Sequence, residues 1–223
     1  YLHTPHGTAA AEAGKHVLCE KPLGLNHGEG MAVVEAAREN DVFFMEAFMY
    51  RCHPQTAKLV ELLKEGIIGE VRMIKASFGF DTGGAADPAS RLFDPDLGGG
   101  GILDVGGYPV SLSRLVAGVA AGKQFADPTE VSGSGTLGKT GVDEWTAAVL
   151  RFENGTVAQV STGIRAQLEN SLEVFGEKGR LSLPNPWVAD RQGPDPGSII
   201  LTLKGEEPRT IDIPADRTSY AYE

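Results

Sequence analysis

Short apolar runs alternate with longer amphipathic stretches through residues 1–46, a pattern typical of a parallel α/β sheet. The two apolar runs are residues 17–19 and 42–45, and we predict that both are buried strands. Strands that alternate with helices are joined by right-handed crossovers and lie parallel. Because a stable sheet usually needs three or more strands, we predict that this stretch is the tail of a larger α/β domain whose start is absent.

The helices of this stretch carry recognisable end signals. Residues 8–13 are predicted to end a helix, with Gly14 as its C-cap. Asn26 can cap the next helix, and Glu29 stands three residues later as its capping-box partner. The apolar face predicted for that second helix consists of Met31, Val34 and Ala37.

The pattern changes beyond residue 54. Residues 56–65 predict an amphipathic helix, and residues 71–80 alternate as a half-buried strand does. A loop rich in Gly and Pro follows at 81–101, and residues 102–117 predict a further helix.

The rest of the chain is predicted to be mostly strand, with one proline-bearing loop at 184–197. The predicted strands are residues 130–137, 145–152, 156–163, 172–176, 180–183, 199–203 and 210–213. Turn sequences at 153–155 and 177–179 indicate hairpins, so we expect a largely antiparallel sheet. The chain is therefore predicted to contain an α/β portion, residues 1–50, and an α+β domain, residues 51–223.

The composition is that of an ordinary folded protein and argues against several partners. Of the 223 residues, 41% are hydrophobic and 22% are charged. The net charge of −10 disfavours nucleic acid and anionic membrane surfaces, and no apolar run is long enough for a membrane span. Cys19 and Cys52 form neither a disulfide framework nor a metal spacing. We expect reduced thiols in a cytoplasmic protein, and no metal.

Lys21 occupies the position with the clearest chemical meaning. It follows the first predicted strand, and Pro22 ends that strand. In open α/β sheets, ligands bind at the carboxyl ends of the strands. Lys21 is therefore a candidate for a cation that faces a ligand, and the alternative is a solvated surface lysine.

A second candidate group lies in a glycine-rich stretch, residues 98–109. Asp104 and Tyr108 are four residues apart and would share one face of a helix, which Gly106 and Gly107 weaken. A free tyrosine has a pKa of about 10, too high for a base at neutral pH. If Lys21 lies nearby, its ammonium would lower that pKa. The alternative is a core tyrosine beside a solvated aspartate.

Three segments resemble the Gfo/Idh/MocA oxidoreductases, the family of glucose–fructose oxidoreductase and inositol dehydrogenase. They are residues 14–23 (GKHVLCEKPL), 45–55 (MEAFMYRCHPQ) and 99–108 (GGGILDVGGY). The second and third resemble the branch of dihydrodiol and D-xylose dehydrogenases. Residues 149–155 and 174–181 are similar to strands of the family's sheet, so the resemblance extends over nearly the whole chain.

The resemblance implies that residues 1–50 are the C-terminal portion of a Rossmann domain and that residues 51–223 form a substrate-binding and oligomerisation domain with a large, mostly antiparallel sheet. It implies NAD or NADP as cofactor. The residues implied to contact it are His3, Glu20, Lys21 and Pro22. The resemblance implies that Tyr108 is the general acid/base and that Lys21 is its cationic partner. Asp104 matches the family's aspartate, which lies one helical turn before the tyrosine.

The family's G-x-G-x-x-G turn, which binds the pyrophosphate, is missing from this sequence. We therefore expect a fragment that lacks the N-terminal part of the Rossmann domain and the C-terminal end, and that binds a dinucleotide poorly by itself. The residues that would decide between NAD and NADP are missing with it.

The implied reaction is reversible hydride transfer between nicotinamide and a CH–OH group of a sugar, polyol or dihydrodiol. Candidate substrate-binding residues are Arg51, His53, Phe80 and Arg165, with Phe78 and Trp145 as further possibilities. Each has an alternative as sheet packing or surface charge, and His53 as a helix N-cap. Two other functions stay open, a cofactor-binding regulator without turnover and an NAD-dependent glycoside hydrolase. The expected partners are a small carbohydrate or diol and further copies of the chain, in a homodimer or homotetramer.

Overall fold

A computed structural model describes residues 1–84, 87–187, 194 and 196–223. Its strands form a two-stranded parallel sheet near the N-terminus and an eight-stranded sheet in the remainder. The predicted fold class, an α/β portion followed by an α+β domain with a large and mostly antiparallel sheet, is confirmed.

The N-terminal portion is a small α/β unit. Its elements are α1 (His3–Glu12), β1 (Val17–Glu20), α2 (His27–Glu39) and β2 (Phe44–Ala47). The strands are parallel, with Val17 opposite Phe44. β2 begins two residues later than predicted.

The predicted cap of α2 is confirmed, but its predicted apolar face was shifted. The Asn26 side chain accepts a hydrogen bond from the backbone N–H of Glu29 at 3.1 Å. The fully buried side chains of α2 are Val33, Ala36 and Ala37, and Met31 and Val34 are only half-buried. The reason is close packing of α1, because a Cβ on Gly7 would lie 3.0 Å from Val33 Cγ1.

The large sheet has the order β10-β9-β8-β7-β3-β6-β5-β4. Its strands are β3 (Val71–Gly79), β4 (Pro128–Leu137), β5 (Asp143–Phe152), β6 (Val157–Gly163), β7 (Ser171–Gly176), β8 (Gly179–Pro184), β9 (Gly197–Leu203) and β10 (Arg209–Ile213). Every neighbouring pair is antiparallel except β3 and β6. Of the predicted loop at 184–197, residues 188–193 and 195 lie outside the described residues, as do 85 and 86 of the loop at 81–101.

Helices cover one face of this sheet. They are α3 (Pro54–Lys64) and α4 (Gly107–Ala120), and a π-helical turn (Ile102–Gly106) leads into α4. Leu112 and Val116 of α4 are buried in one core with Ile74 and Ala158 of the sheet. Short 3₁₀ turns occur at Met49–Arg51, Pro95–Leu97 and Ser219–Ala221.

The opposite face of the sheet is less well covered. Met73, Trp145 and Val149 are exposed there. Ala158 and Val160 of β6 alternate with the residues paired to these three, so they belong to the other face and are buried under α4. Trp145 therefore lies on the far side of the sheet from the helices.

Both cysteines are free thiols, and burial raises the pKa of each. Within the described part of the chain, no group of three or more His, Cys, Asp or Glu side chains could hold a metal ion. Over the same residues, no helix is both long enough and apolar enough to cross a membrane.

Candidate active site

A cleft of about 660 Å³ opens where the two portions of the chain meet. The carboxyl ends of β1 and β2 form one wall, through Glu20 and Ala47. The end of β3 and the start of α4 form the other, through Phe78 and Tyr108. The cleft therefore lies at the edge of the parallel strands, where the sequence predicted a ligand.

Lys21, Asp104 and Tyr108 converge in this cleft. Lys21 Nζ donates a hydrogen bond to the backbone carbonyl of Asp104 and lies 3.6 Å from the Asp104 carboxylate oxygen Oδ1. The same ammonium lies 5.3 Å from the centre of the Tyr108 ring, a cation–π distance. The Asp104 side chain is only 7% exposed, so this carboxylate depends on its cationic partners for compensation.

The glycine-rich stretch makes this convergence possible. A Cβ on Gly99 would lie 2.8 Å from the carbonyl oxygens of Leu92 and Asp94, so only glycine allows the chain to pack so closely here. The π-helical turn follows and carries Asp104, and Tyr108 stands at the start of α4, one turn later. The predicted shared face, and the irregular helix start expected from Gly106 and Gly107, are both observed.

Tyr108 is packed inside an aromatic cluster. Ring centres of Phe48, Tyr50, Phe78 and Trp187 lie 5.1, 5.8, 5.2 and 6.2 Å from its own. Its hydroxyl donates to Met49 Sδ at 3.4 Å. Burial raises the pKa of Tyr108, and the charges of Tyr220, Glu20, Asp104 and Glu223 raise it further.

The expectation that Lys21 lowers the Tyr108 pKa is therefore wrong for this structure. The ammonium lies over the ring, 5.3 Å from its centre, and loss of solvent around the phenol is the largest cause of the raised pKa. At neutral pH the phenol is protonated and is a proton donor.

The buried tyrosines predict a loss of stability in alkali. Burial raises the pKa of Tyr50 to about 12, and the Tyr108 pKa is raised as well. Because the folded-state pKa lies above the unfolded value, the protonated phenols contribute their full stability below pH ~10. That contribution declines as the pH rises above this value. We expect the free energy of unfolding in urea to fall by up to about 1.4 kcal/mol per pH unit for each of these tyrosines above pH ~10. In the variant Tyr108→Phe the decline should be shallower, and an equally steep decline would contradict a raised pKa of Tyr108 in the folded protein.

The residues predicted to contact a cofactor all line the cleft. The ring nitrogen Nδ1 of His3 is 2.7 Å from the carbonyl oxygen of Pro22, to which it can donate, and Glu20 stands at the end of β1. Glu46, which the sequence did not single out, supports the same turn, because its carboxylate accepts from the backbone N–H of Leu23 at 2.9 Å. Burial raises the Glu46 pKa.

These residues suit the nicotinamide end of a dinucleotide better than its phosphates. The cleft combines a cation at Lys21 with apolar walls at Leu25 and Met49. Three of the four glycines at 98–101 are packed against protein, because added Cβ atoms on Gly99, Gly100 and Gly101 would collide with neighbouring backbone or with Asp143. Gly98 lines the cleft, and a Cβ on it would lie 2.7 Å from Leu25 Cδ2.

Of the predicted substrate-binding residues, only Phe80 lines the cleft, together with Phe78. The Arg51 guanidinium stacks on Phe125, with its Cζ 4.5 Å from the ring centre. His53 caps α3 by accepting a hydrogen bond from the backbone N–H of Gln55 at 3.1 Å. This is the helix N-cap role that the sequence offered as the alternative to substrate binding. Arg165 donates to the carbonyl oxygens of residues 83 and 84 at 3.2 and 2.7 Å. The structure does not bring these three side chains to the cleft.

Some cleft residues were not predicted from the sequence. They are Arg91, Met49, Trp187 and Tyr220. All four lie in loops or short turns, where no periodic pattern shows the direction of a side chain. Trp187 was detectable only as a large apolar residue in a polar loop, and it is fully buried, with its Nε1 donating to the carbonyl of Ser77 at 2.7 Å.

Family comparisons agree with this architecture. Residues 1–48 match the oxidoreductase family's NAD-binding Rossmann fold, and residues 56–182 match the GFO/IDH/MocA C-terminal domain. The chain belongs to the Gfo/Idh/MocA oxidoreductase family. This confirms the family predicted from its motifs.

Characterised relatives of the family confirm the predicted branch. The chain is 35% identical over 186 residues to trans-1,2-dihydrobenzene-1,2-diol dehydrogenase of Mus musculus, covering 83% of this chain and 53% of that protein. It is 36% identical over 180 residues to D-xylose 1-dehydrogenase (NADP(+)) 2 of Haloferax volcanii, covering 81% and 52%. The chain thus spans about half the length of these relatives.

Solved structures of the family share the fold. A 3-ketoreductase from Actinomadura kijaniata in complex with NADP and TDP-benzene has a TM-score of 0.81 and 27% identity, over 99% of this chain and 64% of that one. An aldose-aldose oxidoreductase from Caulobacter crescentus complexed with glycerol has a TM-score of 0.82 at 23% identity, over 99% and 63%. The second likeness concerns the fold alone.

Proposed function

We propose that this chain carries the substrate side of an NAD(P)-dependent dehydrogenase that interconverts a CH–OH group and a carbonyl on a sugar, polyol or dihydrodiol. The observation that supports it most directly is the convergence of Lys21, Asp104 and Tyr108 in one cleft. The names of the relatives support the substrate class, since they include a diol dehydrogenase and a xylose dehydrogenase.

In the proposed mechanism, the Tyr108 hydroxyl exchanges a proton with the substrate oxygen. The protonated phenol can donate to a carbonyl oxygen during reduction, which leaves a phenolate. In the reverse direction, that phenolate takes the proton from the substrate hydroxyl. The Lys21 ammonium donates a hydrogen bond to the same oxygen and stabilises negative charge on it. The backbone carbonyl of Asp104 holds the ammonium in the cleft by a hydrogen bond, and the Asp104 carboxylate lies 3.6 Å from it as an ion-pair partner.

The nicotinamide end of NAD or NADP fits against Glu20, Lys21 and Pro22, with His3 holding the Pro22 carbonyl. When bound, that cofactor supplies or accepts the hydride. The chain's own contribution is to bind the substrate, exclude water with the aromatic cluster and place the proton.

The cleft walls favour an uncharged ring. Phe78, Phe80 and Trp187 present aromatic surface, and the Asp104 carboxylate is paired with both Lys21 and Arg91. Aromatic rings pack well against the apolar faces of sugar and diol rings. We further propose a homodimer or homotetramer that covers the exposed Met73, Trp145 and Val149 of the sheet.

The test is a panel on the full-length protein, with NAD⁺ and NADP⁺ each offered aldoses, polyols and trans-dihydrodiols, and reduced cofactor read at 340 nm. We expect turnover with at least one member. Cofactor binding without any turnover would instead indicate a regulator. Release of an aryl group from a glycoside without net reduction would indicate a hydrolase, and either result would overturn the proposal.

A further inference from the structure

Asp104 has a second cationic partner, Arg91. Arg91 Nη1 donates to Asp104 Oδ1 at 2.9 Å, while Lys21 Nζ lies 3.6 Å from that same oxygen. The shorter distance is that of a hydrogen bond and the longer one is not. Arg91 therefore hydrogen-bonds the carboxylate oxygen, whereas Lys21 hydrogen-bonds the backbone carbonyl of Asp104 and only pairs with the carboxylate as an ion.

The backbone that carries Arg91 is firmly anchored, although the Arg91 side chain is 68% exposed. Phe93 is buried in a small cluster with Val142 and Ile164. Backbone hydrogen bonds join Gly99 N–H to Asp94 O and Gly100 N–H to Leu92 O, both at 2.9 Å. The position of Arg91 beside the cleft is thus built into the fold and does not depend on a freely moving loop.

We propose that Arg91 is a positioning residue for Lys21. By donating a hydrogen bond to Asp104 Oδ1, Arg91 competes with Lys21 for that oxygen and keeps the ammonium at ion-pair distance from it. The ammonium then stays on the backbone carbonyl, over the Tyr108 ring and facing the cleft. The effect of Arg91 on turnover rests on the proposed function, whereas its effect on the position of Lys21 can be tested without that function.

Removal of the guanidinium should release the carboxylate to Lys21. Glu46 is close enough to act electrostatically on Lys21 as well, but it is bonded to the Leu23 N–H, so Asp104 is the carboxylate that changes partner. In crystals of the full-length variant Arg91→Met, we expect the Lys21 Nζ to Asp104 Oδ1 distance to shorten to that of a hydrogen bond. The ammonium should move away from the Tyr108 ring.

The kinetic arm uses the full-length enzyme with whichever substrate the panel identifies. We expect Arg91→Met to lower kcat roughly 10-fold to 100-fold, as misplaced catalytic groups do, with KM changed by less than about threefold. Arg91→Lys should recover part of the loss because it restores the charge without the planar fork. Arg209→Met is the matched control, since Arg209 is exposed on the edge strand β10.

The kinetic and crystallographic results each test the positioning role of Arg91. An unchanged kcat in Arg91→Met, or an equal loss in Arg209→Met, would refute the positioning role. Crystals of Arg91→Met in which Lys21 keeps both its carbonyl bond and its place over Tyr108 would refute it too. If the parent enzyme turns over no CH–OH substrate, the proposed function fails, and the crystal comparison still decides the role of Arg91.

Discussion

The variant Tyr108→Phe of the full-length enzyme should lose about 10²- to 10⁴-fold in kcat, the usual contribution of general acid–base transfer. The hydroxyl is the only group that this change removes, because the ring keeps its packing against Phe48, Phe78 and Trp187. The lost bond to Met49 Sδ is weak. Cofactor affinity, measured by fluorescence titration, should remain within about threefold of the parent value because no binding contact is lost.

Tyr50→Phe provides the matched control for that variant. Tyr50 is equally buried and its hydroxyl donates to Ser111 Oγ at 2.8 Å, outside the cleft. We expect this control to lose about 1 kcal/mol of stability, the worth of one hydrogen bond, and to keep its kcat. Unchanged turnover in Tyr108→Phe, or an equal fall in both variants, would remove Tyr108 from the mechanism.

The variant Lys21→Met should be impaired in both turnover and stability. Its ammonium is the donor proposed for the substrate oxygen, and loss of one such donor typically costs about 10²- to 10³-fold in kcat. The change also leaves the buried Asp104 carboxylate with Arg91 alone. Because Lys21 is partly exposed and Arg91 remains, we expect the free energy of unfolding to fall by about 1–3 kcal/mol. A buried carboxylate without any cationic partner would cost more.

Lys21→Arg should not restore activity. A guanidinium is planar and longer, so it cannot bond the Asp104 carbonyl and lie over the Tyr108 ring from the same backbone position. Lys15→Met is the control, since Lys15 is exposed at the opposite end of β1. Steady-state kinetics and urea unfolding measure both effects, and a Lys21→Met enzyme with parental kcat would contradict the proposed role.

Several features of the candidate site were predictable because they depend on local chemistry. The Lys21–Pro22 pair marks the end of a strand, and the end of a parallel strand is a ligand-binding edge wherever the sheet lies. The four-residue spacing of Asp104 and Tyr108 places them on one side of a helical turn. The glycines at 98–101 predicted a close approach of the backbone to a ligand or to another part of the chain, and the structure shows Gly99 packed against residues 91–94.

Other features were not predictable because they depend on what packs around a residue. The Tyr108 pKa is raised instead of lowered because four aromatic rings displace water from the phenol, and their arrangement comes from distant parts of the chain. Arg51, His53 and Arg165 have plausible chemistry, but their contacts lie elsewhere. Chemical type alone does not tell which surface a side chain reaches.

The sequence by itself determined the order of helices and strands, the α/β to α+β change of architecture, the cap at Asn26 and the family. Those features rest on interactions within a few residues, or on spacing that a linear pattern records. Only the tertiary structure decided that Arg91 hydrogen-bonds the carboxylate of Asp104 beside Lys21, and that Trp187 joins the wall around Tyr108. Both are contacts between loops and remote elements, and no periodic pattern encodes the direction of a side chain in a loop. The same contacts bury the Tyr108 phenol, and that burial keeps it protonated.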